Sequence, residues 1–117
     1  MPFTIKRGDT SPAIRSRLVP ADKTQGNGIK EYQKVRFFMR DPTDYEIVAE
    51  GLAERSSSDT ITVLDEANGD VSYQWQTGDT DEPGMFEAEW EVTYGDGTIE
   101  TFPNDGYIDI HIVSDIK

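Results

Sequence analysis

The stretch from Met85 to Tyr94, MFEAEWEVTY, constrains this chain more than any other. Phe86, Ala88, Trp90, Val92 and Tyr94 share one parity, and Met85, Glu87, Glu89, Glu91 and Thr93 share the other. Side chains point alternately to the two faces of a strand, so the pattern predicts a half-buried strand with a row of carboxylates facing water. A helix would spread the same apolar residues around its circumference. Three more runs alternate in the same way: Val35, Phe37 and Met39 against Arg36, Phe38 and Arg40; Val71, Tyr73 and Trp75 against Ser72, Gln74 and Gln76; Ile108, Ile110 and Ile112 against Asp109, His111 and Val113.

Phe3–Arg7, Ile14–Val19, Glu46–Ala53, Thr60–Leu64 and Thr98–Phe102 complete the strand candidates. Asp41-Pro42, Asn68-Gly69, Gly78-Asp79 and Pro83-Gly84 punctuate them as turns. Gly95-Asp96-Gly97 between two strand-like runs is the strongest hairpin signal. No stretch holds a 3.6-residue pattern over about ten residues, the length a helix needs to declare itself. The expectation is therefore an all-β, antiparallel β-sandwich of about 8 strands with little or no helix. Trp75 and Trp90 should sit in its core, one on each of two long strands, where burial of a large aromatic contributes about 2–3 kcal/mol. All 117 residues read as a single domain. The longest loop falls at Pro20–Glu31 and a second at Arg55–Asp59.

Charge and composition exclude whole classes of function. Eleven basic against 23 acidic side chains leave a net charge of −12, which repels phosphate backbones and anionic lipid surfaces. No nucleic-acid or membrane partner is expected. No apolar run approaches the roughly 20 residues of a membrane helix, and the first residues do not read as a secretory signal. The absence of cysteine excludes disulfides, thiol nucleophiles and thiolate metal sites. The acidity also fits adaptation to high salt, where self-repulsion is screened.

Candidate chemistry is sparse. His111 is the lone histidine, no nucleophile elbow accompanies it, and it reads as a partly exposed strand residue. The row Glu87, Glu89 and Glu91 reads as a solvated strand face, or else as one that meets a basic surface on a neighbouring subunit. Asp65–Asp70 and Gly78–Glu82 are rich in oxygen ligands, but neither has EF-hand spacing, and both read as turns rather than structural Ca²⁺ sites. No cofactor is expected. Phe38, between Arg36 and Arg40 on the polar parity of its strand, reads as an outward aromatic suited to a protein contact, or else as a sign that the second face of that strand is also covered by chain.

Five features in order along the chain resemble a known family. They are Phe3-Thr4-Ile5-Lys6-Arg7-Gly8-Asp9-Thr10 with Ile14 and Leu18; Val35-Arg36-Phe37-Phe38-Met39-Arg40-Asp41; Gly69-Asp70-Val71-Ser72-Tyr73-Gln74-Trp75 leading to Gly78-Asp79-Thr80; Gly84–Tyr94; and Asp96-Gly97 followed by Thr101-Phe102-Pro103-Asn104 and Gly106-Tyr107. Together they resemble the N-terminal β-sandwich domain of phage baseplate upper proteins and the small tail proteins that share it. The resemblance implies an immunoglobulin-like sandwich built into a tailed-virus particle, with no enzymatic activity and no catalytic residues to carry over. The sequence ends at Lys117 without a stalk or receptor-binding domain, which favours a small structural subunit over an adsorption role. The expected setting is the virion, in the tail, baseplate or a connector, after assembly in the host cytoplasm. The expected partners are other virion structural proteins and further copies of the chain in a symmetric assembly.

The expected contact elements are the N-terminal segment Met1–Gly8, the Pro20–Glu31 loop and an edge strand at Ile108–Val113. The contact residues are Phe38, Arg36, Arg40, Phe3, Ile5 and His111. A second reading is a capsid decoration or host-glycan-binding module using Tyr32, Tyr45 and Tyr107. A third, a small hydrolase with paired carboxylates, lacks any constrained acid–base motif.

Overall fold

The structure, a computed structural model, describes residues 2–21 and 28–116. Residues 22–27 of the expected long loop, and Met1 of the expected N-terminal contact segment, lie outside the described residues. Ten strands follow one another: β1 (Phe3–Lys6), β2 (Ile14–Arg17), β3 (Tyr32–Arg40), β4 (Ile47–Glu54), β5 (Ser57–Ser58), β6 (Ile61–Asp65), β7 (Asp70–Tyr73), β8 (Gly84–Tyr94), β9 (Ile99–Phe102) and β10 (Ile108–Val113). No helix occurs among the described residues. Each of the nine runs expected from alternation and turn signals carries a strand, and the two-residue β5 is the addition.

The strands form two sheets. The larger has seven strands in the order β1-β10-β8-β3-β4-β5, with β9 also pairing β8, and the smaller has three in the order β2-β7-β6. Every pairing is antiparallel except β1 with β10, which run parallel. The sandwich is thus not purely antiparallel, because alternation within a strand carries no information about the direction of its neighbour. β3, β8 and β10 take the C, F and G places of an immunoglobulin-like sandwich, β4 and β5 add C′ and C″ as in variable-type domains, and β2, β7 and β6 supply B, E and D.

The two sheets close over the rows read from the sequence. Val35, Phe37 and Met39 on β3, Phe86, Ala88, Trp90 and Val92 on β8, and Ile110 and Ile112 on β10 are all buried. From the small sheet come Ile14, Ile61, Val71 and Tyr73. Phe37 lies at the centre. Its ring stacks on Tyr73 at 4.6 Å and meets Trp90 and Trp75 edge-on at 4.9 and 6.0 Å. Such offset and edge-on pairs add about 0.5–1.5 kcal/mol each beyond the area they bury.

Antibody domains join the B and F strands with a disulfide at this depth. Here the Trp90 indole Nε1–H on β8 donates to the Ser16 hydroxyl on β2 at 3.0 Å. Trp75 is buried as expected, but it lies two residues past the end of β7. Its Nε1 is the one buried polar side-chain atom without a hydrogen-bond partner among the described residues.

Close approach explains one glycine. Gly51 pairs with Phe37 across β3 and β4, and a Cβ there would overlap the Tyr73 ring. The Gly95-Asp96-Gly97 hairpin forms as the sequence predicts. Tyr94 N–H donates to the Thr98 carbonyl at 2.9 Å, Asp96 accepts from the Thr98 backbone and hydroxyl, and Gly97 takes φ 90°.

Candidate protein-contact surface

The outer face of the large sheet is built by the parity opposite to the core row. On β3 it presents Arg36, Phe38 and Arg40; on β8 it presents Glu91, Glu89 and Glu87, directly opposite in register. Opposite charges facing each other across an antiparallel pair attract. Arg40 Nε donates to Glu87 Oε1 at 2.9 Å, and Arg36 approaches Glu91 to 3.9 Å. The Glu87 hydrogen bond raises the Arg40 pKa above its ordinary value. The carboxylate row read as a solvated face is therefore neutralised in part by cations of its own sheet.

Phe38 sits between these pairs, half-buried. Glu89 on β8 and Glu50 on β4 flank it, and neither makes an ion pair with a described residue. Arg36 lies over the Phe38 ring at 4.6 Å. Arg40 lies between two tyrosines, 4.6 Å from the Tyr45 ring and 4.8 Å from Tyr107. Tyr45 arrives there from the turn after β3 with φ 62°, a conformation uncommon for an aromatic residue. Tyr45, Ile47, Met85 and Tyr107 are 64, 47, 50 and 47 % exposed, so the Arg40 end of this face gathers four of the exposed large apolar side chains. A shallow pit of about 100 Å³ opens between Phe38, Ile47 and Tyr107.

The other expected contact residues sit elsewhere. Ile5 is 3 % exposed and belongs to the core, because its parity on β1 faces inward. Phe3 shares that parity and lies 5.8 Å from the Trp75 ring, partly buried against the core. The exposed side chains of β1 are those of Thr4 and Lys6. His111 is outward on β10, beside Met85 and Thr4 in register. The expected edge at Ile108–Val113 is not an edge, since β10 lies between β1 and β8. Tyr32 is 8 % exposed beneath Arg55, 4.0 Å from its guanidinium, which removes it from an aromatic binding surface. Sequence reasoning did not bring Ile47, Met85 and Glu50 to this surface: Met85 and Glu50 have outward parity but reach Phe38 only through register, and Ile47, on the parity of buried Ala49 and Gly51, faces outward because the register shifts between Met39 and Arg40.

Asp79 and Asp65 of the Asp-rich loops are held in local hydrogen bonds. Asp79 accepts from the Gln76 N–H at 2.8 Å and from the Tyr73 hydroxyl at 2.5 Å, and Asp65 accepts from the Asn68 side chain at 2.6 Å. The Thr80 hydroxyl donates to the Asp9 carbonyl at 2.8 Å. Buried Asp70 accepts from Arg17 at 2.9 Å, and that bond lowers its pKa. No group of three or more His, Asp or Glu positioned for a metal ion occurs among the described residues. Two larger hollows lie away from the outer face of the large sheet. A cleft of about 410 Å³ runs over Trp90 and Ser16, and a groove of about 840 Å³ lies between Pro20, Glu66 and Tyr94. In the groove, burial first and Glu100 second push the Tyr94 phenol up to about 12.

No protein-family profile matches the chain, and no curated protein sequence matches it. Two solved structures are similar. CopC from Methylosinus trichosporium OB3b superposes with a TM-score of 0.56 at 13 % identity, over 99 % of this chain and 87 % of that one. Murine CRIg superposes with a TM-score of 0.43 at 15 % identity, over 96 % of this chain and 90 % of that one. At such identities the likeness to CopC speaks for the fold alone, in keeping with the strand order above.

Proposed function

We propose that the protein is a non-enzymatic structural subunit of a tailed-virus particle, in the tail, baseplate or a connector, and that it docks on neighbouring subunits through the outer face of its large sheet. The docking surface rests on one observation: half-buried Phe38 with exposed Ile47 and Tyr107 at its side, ringed by charged residues. An aromatic centre with a charged rim is the usual anatomy of a protein contact. The virus setting rests on the ordered sequence resemblance described above.

Phe38→Ala tests the docking surface. The side chain faces away from the core, so the melting temperature should change little. Truncation of a central contact aromatic costs about 2 kcal/mol of binding, so incorporation into particles should fall roughly thirtyfold. Equal incorporation of a folded variant would refute the docking role of Phe38.

The exposed Tyr45 and Tyr107 rings on either side of Arg40 favour a second reading, a glycan-binding module. A glycan array on the purified chain separates the two. A structural subunit gives no hits, whereas hits lost in Tyr107→Ala would transfer the face to carbohydrate recognition.

A further inference from the structure

The large sheet ends in two unlike strands. At one end, β1 has β10 as its single neighbour. Arg7 N–H donates to the Val113 carbonyl across that pair at 2.8 Å. Backbone groups alternate in direction along a strand, so Phe3 and Ile5 share that orientation while the N–H groups of Thr4 and Lys6 point to the open side. At the other end, β5 pairs with β4 at Ala53 and Glu54 alone. Leu52 N–H donates to Thr60 Oγ1 at 3.0 Å, away from β3. The same alternation turns the Glu50 N–H and carbonyl outward, where no described strand lies beyond them. Unpaired edges of this kind are templates for another strand.

The two edges carry opposite charge. Lys6 is exposed on β1 and makes no ion pair with a described residue; Glu50 on the open stretch of β4, Glu46 just before the strand and Glu54 at its β5-paired end are exposed and make none either. Lys6 and Glu50 also lie on the same face of the sheet, since Ile5, Ala49 and Gly51 all turn inward. A β1 strand laid beside β4 would keep Ile5 over the core layer and bring Lys6 alongside the carboxylates at cross-strand distance.

We infer that copies of this chain add to one another head to tail, β1 of one copy pairing with the open side of β4 in the next. The occupant of each edge is a second copy, and the sheet continues from subunit to subunit. Because the two surfaces differ, the contact is heterologous and generates a ring or a helical stack rather than a two-fold dimer. The inference deepens the assembly reading and rests on it for its biological setting alone.

The test uses the purified full chain at millimolar concentration and physiological ionic strength. Thr4→Pro and Glu50→Pro each remove one outward N–H and spare the internal ladders, as proline at a strand edge can. The wild type should sediment as a concentration-dependent series, with slowed amide exchange at Thr4 and Glu50. Each proline variant alone should remain monomeric, and an equimolar mixture should form a 1:1 dimer that grows no further. Should proline unfold either variant, charge reversal replaces it. Lys6→Glu should weaken association about tenfold, and adding Glu50→Lys in the same chain should restore it. A monomeric wild type, proline variants that still associate alone, or a charge-reversed pair without rescue would each overturn the inference. None of these results bears on the particle incorporation of Phe38→Ala, so the two proposals fail separately.

Discussion

The hydrogen bond from Trp90 on β8 to Ser16 on β2 can be weighed by a double-mutant cycle. Trp90 is fully buried, so Ser16→Ala leaves its indole N–H without this acceptor. An abandoned buried donor costs about 1–3 kcal/mol. Both residues line the cleft of about 410 Å³ at the flank of the sandwich, which has room for a replacement water. That places the cost near the lower limit, at about 1 kcal/mol. Trp90→Phe loses the same bond plus part of the ring surface packed on Phe37, for a total of about 2–4 kcal/mol. Once phenylalanine is present, the Ser16 hydroxyl has no indole to receive, and Ser16→Ala should cost almost nothing. The coupling should therefore be about 1 kcal/mol, measured by urea unfolding followed by far-UV circular dichroism. Additivity within about 0.3 kcal/mol would refute the claim that this bond ties the two sheets together.

Gly51→Ala should destabilise the fold by about 2 kcal/mol, because the new methyl collides with Tyr73, itself held between Phe37 and Trp75; an unchanged urea midpoint would show that the ring has room to move. Asp70 is more acidic folded than unfolded because Arg17 binds its ionised form. Its stabilisation is therefore present above its ordinary pKa of 3.8 and is lost as pH falls through the lower folded value. The melting-temperature gap between wild type and Asp70→Asn should accordingly be widest near neutral pH and close in strong acid; a gap independent of pH would contradict the ion pair. At net charge −12, raising NaCl from about 0.1 M to about 2 M should raise the melting temperature by screening self-repulsion, and equal values would remove the case for adaptation to high salt.

Much of the fold was legible because β3, β8 and β10 each have one wet and one dry face, which writes a period of two into the sequence. The Gly95-Asp96-Gly97 hairpin was legible through its turn chemistry. Pairing direction was not, and so the parallel partnership of β1 with β10, which also covers the expected edge strand, emerged only in three dimensions. Ile5 is instructive in a different way. Phe3 and Ile5 alternate with Thr4 and Lys6, so parity marks them as the inward pair, and a place on an edge strand does not by itself turn a side chain outward. On the outer face of the large sheet, the outward set Arg36, Phe38 and Arg40 followed from parity. The stacking of Tyr45 and Tyr107 on Arg40 did not, because it joins a turn with positive φ to a loop some sixty residues further on, and no local pattern encodes that meeting.

A variable-type sandwich whose B and F strands meet through an indole and a hydroxyl holds no sulfur that a reductant could attack. Its folding is indifferent to thiol–disulfide poise, so dithiothreitol should leave its unfolding curve unchanged. Any one cysteine introduced on the outer face also becomes a unique chemical handle, and a fluorophore or spin label can be attached there without a competing thiol elsewhere in the chain.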